Sequence, residues 1–282
     1  MLIAQITDMH IKAEGTLVFG HVDTCAYLAR AVEHLNRRDP RPDAVLVTGD
    51  MTNDGTPEDC AALARLLGRL EMPYYIVPGN HDTRANLRAA FPDLAYLPGE
   101  GHMRYVVEHH AVRLVALDSL VEGHHHGEIG GAQLDWLAGT LAAAPDRPTI
   151  VFFHQPPFAT GIERMDGSRL TDADALGAVI ARHPQVERVL CGHLHRPITR
   201  RFAGTVVQTA PATAHQVMLN LGEGKPLRWV MEPPAVMLHL WRAGDGLVSH
   251  VEPVGDYGQP QPFTHHHTRA APAGQPAVAR VS

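Results

Sequence analysis

Cysteine is scarce in this 282-residue chain: three residues, Cys25, Cys60 and Cys191, none in Cys-x-x-Cys spacing. A sparse, odd set argues against a disulfide framework and for a reducing compartment. Long apolar runs are missing too. No stretch is long enough to span a bilayer, and the strand-like run from Met1 to Ile6 has no basic segment before it, so neither a membrane anchor nor a signal peptide is expected. Positive charge is in deficit: the net charge is −6, which leaves no basic patch for a stable nucleic-acid complex and no Lys/Arg cluster for a membrane surface. There is no internal repeat. These absences point to a cytoplasmic globular protein, and the 45% hydrophobic and 19% charged content fits one.

Histidine is in excess, with 20 residues. Imidazole is the commonest metal ligand. The abundance of Ala, Arg and Pro admits a plain compositional bias, so position has to decide.

Short apolar runs alternate with helical spacing. Leu2–Ile6, Ala44–Thr48, Tyr74–Val77, Arg113–Leu117, Thr149–Phe153 and Val186–Leu190 read as strands. Between them, Val22–Leu35 and Gln133–Leu141 read as helices. Thr56-Pro57 reads as an N-cap and first helical position, and Thr171 with Asp174 as a capping box before Leu176, Val179 and Ile180. This alternation predicts an α/β layered fold. Two hairpins follow, Ile198–Phe202 with Thr205–Thr209 and Val236–Trp241 with Leu247–Val251. Residues 1–210 form the expected catalytic domain, 211–254 a small C-terminal β cap or oligomerisation segment, and 255–282 a flexible tail.

Polar residues fall at the strand ends. Asp8 and His10 follow the first strand, Asp50 the second, Asn80, His81 and Asp82 the third, His154 the fifth, and His193 and His195 the sixth. Any one of these has a plain explanation as a cap, a turn residue or a loop histidine. Five strand ends delivering Asp, Asn or His together do not, because the carboxyl ends of strands are where α/β sheets place ligand sites. Mixed carboxylate and imidazole donors suit Mn, Fe, Co or Zn. Seven ligands are too many for one ion and fit two divalent ions sharing a carboxylate. Two such ions against Asp8 and Asp50 leave a charge of about +2, attractive to phosphate. Gly49, Gly79 and Gly192 beside the ligands permit tight turns and close backbone approach.

In this order, Asp8-x-His10, Gly49-Asp50, Gly79-Asn80-His81-Asp82, His154 and Gly192-His193-x-His195 resemble the calcineurin-like metallophosphoesterase superfamily over roughly residues 1–217. Phe19–Asp23, Gly49–Gly55 and Thr213–Val217 look like its class III cyclic nucleotide phosphodiesterases, especially the bacterial glycerophosphodiesterase branch. The resemblance implies a four-layer α/β-β-α sandwich. It implies one metal on Asp8, His10, Asp50 and His195 and another on Asp50, Asn80, His154 and His193, with Asp50 bridging. His81 would face the substrate, and Asn80, His195 and His215 would help to bind it. Gln155 stands where other members have a second His, which would touch substrate contacts more than metal binding.

The expected activity is hydrolysis of a glycerophosphodiester or a 3′,5′-cyclic nucleotide to a phosphomonoester and an alcohol, with His81 and Asp50 as catalytic residues. The ions would polarise the phosphoryl oxygens and supply hydroxide. The alternatives are a metal-binding sensory module without turnover and a phosphomonoesterase of the same superfamily. The only partners expected are a small phosphodiester and further copies of the chain, in a homo-oligomer of two or more. His124–His126 and His265–His267 read as solvated loops, and for His21 and His215 a contact to substrate or a neighbouring subunit and a plain structural place stand equally open.

Overall fold

The computed structural model describes residues 1–262. The expectations for the tail beyond them, including His265–His267, lie outside the described residues. In chain order the elements are β1 (Leu2–Ile6), α1 (Thr24–Arg37), β2 (Ala44–Thr48), α2 (Pro57–Leu67), β3 (Tyr74–Val77), α3 (Arg84–Ala90), β4 (Tyr105–Val107), β5 (Arg113–Ala116), α4 (Gly131–Ala142), β6 (Thr149–Phe152), α5 (Glu163–Asp166), α6 (Ala173–Ile180), β7 (Val186–Cys191), β8 (Thr199–Phe202), β9 (Thr205–Thr209), β10 (Gln216–Val217), β11 (Trp229–Val230), β12 (Ala235–Arg242) and β13 (Gly246–Pro253).

Two mixed sheets form, in the orders β13-β12-β1-β2-β3 and β4-β5-β6-β7-β9-β8. β1, β2 and β3 run parallel, as do β5, β6, β7 and β9. Side chains alternate across each strand. Ala4, Ile6, Val45 and Val47 therefore face α1 and α2, packing with Leu28, Leu35 and Leu63. Ile3, Ala44 and Leu46 face the other way and meet Leu114, Ile150, Phe152 and Leu190 of the second sheet. The far side of that sheet packs Val115, Val151 and Val189 on Leu137 of α4 and Leu176 of α6. The result is the expected four layers, helix, sheet, sheet, helix. Strands buried on both faces explain why the sequence shows continuous apolar runs instead of polar alternation.

Both expected hairpins form, and β12 of the second lies antiparallel to β1, extending the first sheet. Thr56 caps α2 through its side chain with Pro57 at the first position, as read from the sequence. The capping box at Thr171 does not form: Thr171 Oγ1 donates to the Gly127 carbonyl, and the helix starts after Asp172 without a side-chain cap. The Asp172 carboxylate instead accepts the amides of Ile129 and Gly130. A tertiary tie to the loop before α4 has taken the groups that local capping would use. No helix among the described residues is long and apolar enough to cross a membrane.

Candidate metal centre

The loops after β1 and β2 keep pairing beyond the sheet: the amides of Asp8, His10 and Ile11 donate to the carbonyls of Gly49, Asp50 and Met51, each at 3.0 Å. This continued register carries Asp8, His10 and Asp50 to one place. The second sheet is locked to it by the His193 amide, which donates to both Asp8 carboxylate oxygens at 3.0 and 3.1 Å, and by His154 Nδ1, which donates to the Thr48 carbonyl at 2.8 Å.

Backbone conformation marks the same residues. Asp8 (φ 51°), His10 (46°), Asp50 (45°), His193 (71°) and His195 (50°) all lie in the left-handed region, which L-residues enter at a cost of about 1–3 kcal/mol each. Five of the residues singled out from the sequence are thus strained, at two sheets' worth of strand ends. The flanking glycines are needed for a different reason, close approach. A Cβ on Gly79 would stand 2.2 Å from the Asp50 amide nitrogen and 2.3 Å from its Oδ1, and one on Gly192 2.1 Å from Thr7 Oγ1.

The donor atoms converge. His154 Nε2 is 3.2 Å from Asp50 Oδ2, and His10 Nε2 is 3.8 Å from the same oxygen. His10 Nε2 and His195 Nε2 are 3.1 Å apart, and His195 Nε2 is 3.5 Å from Asp8 Oδ1. The clusters His10/His195/His215, His10/Asp50/His81 and Asp50/His154/His193 each offer ligand atoms within 4.8 Å of one another.

Hydrogen bonding fixes which nitrogen is free. His154 and His195 give their Nδ1 protons to the carbonyls of Thr48 and His215, leaving Nε2 as the lone-pair nitrogen. Ser168 Oγ donates to the Met165 carbonyl, so it accepts from His193 Nε2 at 2.9 Å and leaves His193 Nδ1 bare. His154 Nε2, His193 Nδ1 and Asn80 Oδ1 are buried without a hydrogen-bond partner. Buried polar atoms are nearly always satisfied. Two orphaned imidazole nitrogens clustered with one carboxylate, and a third orphan on Asn80 of the same cavity, therefore fit a cation, and the carboxylate–imidazole set fits a transition metal.

Burial opposes charge on Asp50, but the imidazoles of His154, His81 and His10 outweigh it and hold the carboxyl well below its usual range. Burial likewise opposes charge on His154, yet Asp50 and Asp8 push it up to about 9. Burial holds His10 well below, and His193 and His215 at about 3, in the neutral form that binds metals. Asp50 thus sits where positive charge is favoured, between His154 and the neutral donors His10 and His193.

His81 sits at the rim of this cluster. Its Nδ1 donates to the Asn53 carbonyl at 2.7 Å, and its amide donates to Asp50 Oδ1 at 2.9 Å. His215 is buried with its Nδ1 unpartnered, its ring 4.9 Å from that of His195. It is brought to the site, whereas His21 is exposed on a turn. His125 is exposed in a loop, as its run was read, and it also lines the cavity, with its Nδ1 3.4 Å from Asn80 Nδ2. Gln155 departs from its expected place toward the substrate. It is fully buried, accepting from Ser119 Oγ at 2.6 Å and bracing the 119–127 loop instead of meeting a substrate.

The positioning roles of two residues, Asp82 and Ser168, were not read from the sequence. The Asp82 carboxylate accepts the amides of Met51, Thr52 and Gly79 at 2.9–3.1 Å, tying the β2 and β3 loops together. Its place in the Gly-Asn-His-Asp block was the available signal. Ser168, which orients His193, stands in a loop with no motif to mark it.

Residues 1–197 match the family described as calcineurin-like phosphoesterase. A probable glycerophosphodiester phosphodiesterase GpdQ of Arcobacter nitrofigilis is 35% identical, over 93% of this chain and 97% of its own length. A 3′,5′-cyclic adenosine monophosphate phosphodiesterase CpdA of Pseudomonas aeruginosa is 31% identical, over 82% and 85%. Among solved structures, a dimetal phosphatase from Danio rerio superposes with a TM-score of 0.63 at 15% identity, covering 90% of this chain and 99% of that one, which is a likeness of fold. Strained donors at the ends of two facing sheets, and a family match that takes in all of them, lead to one conclusion: the chain belongs to the calcineurin-like phosphoesterase family.

Proposed function

We propose that this chain is a phosphodiesterase that holds two divalent ions, one on Asp8, His10, Asp50 and His195 and one on Asp50, Asn80, His154 and His193, and hydrolyses a small phosphodiester to a phosphomonoester and an alcohol. The observation that carries this reading is the pair of orphaned nitrogens, His154 Nε2 and His193 Nδ1, clustered with the Asp50 carboxylate, with the orphaned Asn80 Oδ1 on a residue of the same cavity. When bound, the ions supply Lewis acidity toward the phosphoryl oxygens and hydroxide near neutral pH.

The protein's own groups do the rest. Asp50 faces both ligand sets, fixed on one oxygen by the His81 amide. The Asn53 carbonyl accepts from His81 Nδ1, so the His81 Nε2 is the nitrogen left to serve the substrate. When protonated there, it donates to a phosphoryl oxygen or to the departing alcohol. The site opens into a cavity of about 530 Å³, which suits a small-molecule diester. The relatives named above for glycerophosphodiesters and cyclic nucleotides support a diester over a monoester substrate. Homo-oligomerisation belongs to the same reading, since Met218, Leu219, Leu221 and Met231 form exposed apolar surface that a second copy can cover.

The test is purified protein loaded with Mn²⁺ and assayed on bis(4-nitrophenyl) phosphate and 4-nitrophenyl phosphate. Turnover of the diester well above the monoester is expected. Metal-dependent turnover of the monoester alone would replace the reading with a phosphomonoesterase.

A further inference from the structure

Phe19 is held at φ 52°, followed by Gly20 at 71°. The two form the tip of a tight turn closed by the amides of His21 and Val22, both donating to the Val18 carbonyl at 3.1 and 2.9 Å. Two successive left-handed residues are a type I′ arrangement, whose first position favours Asn, Asp or Gly. Phenylalanine gains nothing there locally and is strained. It is not buried to compensate, since it remains 55% exposed. The strain therefore serves the placement of its ring.

That ring stacks on Trp229, with centroids 5.2 Å apart and planes 8° apart, and meets His215 edge-on at 5.2 Å. Each ring is mounted separately. The Phe19 turn is anchored by Val18 and Val22 packed on Ala214. Trp229 is paired with Val217 across the short β10–β11 ladder. Both rings line the cavity that contains His10, Asp50 and His81.

We propose that Phe19 and Trp229 are specificity-determining residues: they form an aromatic wall that binds a planar ring carried by one alcohol of the diester, and so favour ring-bearing diesters over glycerol-type ones. This rests on the phosphodiesterase reading above. Stacking of a heteroaromatic ring on a protein aromatic supplies about tenfold or more in binding, and the wall is continuous with the site where the phosphate must lie.

The experiment compares kcat/KM for adenosine 3′,5′-cyclic phosphate and glycerophosphoethanolamine, both of which expel an alkoxide, in the Mn²⁺-loaded wild type and in Trp229→Leu, Trp229→Phe and Phe19→Gly. The cyclic nucleotide to glycerophosphodiester ratio should fall about tenfold in Trp229→Leu and Phe19→Gly, mainly through KM, and recover in Trp229→Phe. Phe19→Gly should melt no lower than wild type, because glycine adopts the left-handed conformation freely. An unchanged ratio, or an equal loss on both substrates, would overturn the wall. Calorimetric titration with adenosine 5′-monophosphate and with glycerol 3-phosphate separates this from the parent reading. A wild type that turns over neither diester, yet binds the nucleotide about tenfold more weakly after Phe19→Gly, would refute the hydrolytic function and leave the wall standing. Equal binding of the two monophosphates in wild type and variants would overturn the wall.

Discussion

His154 Nε2 stands 3.2 Å from Asp50 Oδ2, across the gap between the two sheets. His10 Nε2 approaches the same oxygen at 3.8 Å from the first sheet. Asp50 is therefore the residue on which both halves of the donor set meet. Asp50→Ala should weaken both metal sites, lowering metal content toward zero after dialysis, whereas His195→Ala should release mainly one ion per chain. Metal analysis of the two variants checks this. Equal, single-ion losses in both would show that Asp50 does not bridge.

Gly79 tests the geometry without replacing a ligand, because a Cβ there presses on Asp50 itself. Its added Cβ would lie 2.2 Å from backbone, which cannot move aside cheaply. Gly79→Ala should displace Asp50 and reduce kcat/KM on a diester by about 10²-fold, the usual effect of misplacing a reacting group by an ångström. Gly99→Ala, with open space around it, should behave as wild type. Steady-state kinetics of the pair is the measurement.

His81 separates two roles by leaving group. His81→Ala should keep metal content and lose about 10²–10⁴-fold in rate on alkyl diesters. If the imidazole protonates the alcohol, a nitrophenyl diester, whose leaving group needs no proton, should be much less affected. If it stabilises phosphoryl oxygens, both substrates should suffer alike. Full activity on both would remove His81 from the reaction.

His239 supplies a pH dependence remote from the metal centre. Its ring is fully buried in β12, accepting from Ser249 Oγ at 2.8 Å on Nδ1 and donating to Gln5 Oε1 at 3.1 Å on Nε2. Burial, with Arg188 and His250 nearby, lowers its pKa from 6.5 to about 3. The unfolded chain thus binds a proton that the folded one refuses. The contribution of neutral His239 is complete above pH 6.5 and is lost as pH falls from there toward about 3. The loss is up to about 1.4 kcal/mol per pH unit. His239→Gln should flatten the acid side of the stability curve, as read from urea midpoints between pH 4 and 7. An unaltered slope would show that the depression is not real.

Much of this site was legible before the fold was known, because the information lay in the order of residues at strand ends. Asp8, His10, Asp50, Asn80, His154, His193 and His195 needed only strand boundaries and parallel pairing to bring them together. The pairing of β12 with β1 was not legible, since periodicity gives a strand and not its neighbour. α3 was missed because its seven residues bury only Leu87 and show no apolar stripe. β10 and β11, two residues each, are too short to leave a pattern. His125 was unreadable for a different reason. Its run looks like a polar loop, and only the bracing of that loop by Gln155 turns one ring toward Asn80.

The central claim is that the seven donors hold a pair of ions about one carboxylate. Crystals grown with Mn²⁺ and measured for anomalous scattering test it most directly. Two peaks per chain should flank Asp50, about 3.5–4 Å apart, one beside His10 and His195 and the other beside His154 and His193. A single peak in an active crystal, or peaks that do not share Asp50, would contradict the account.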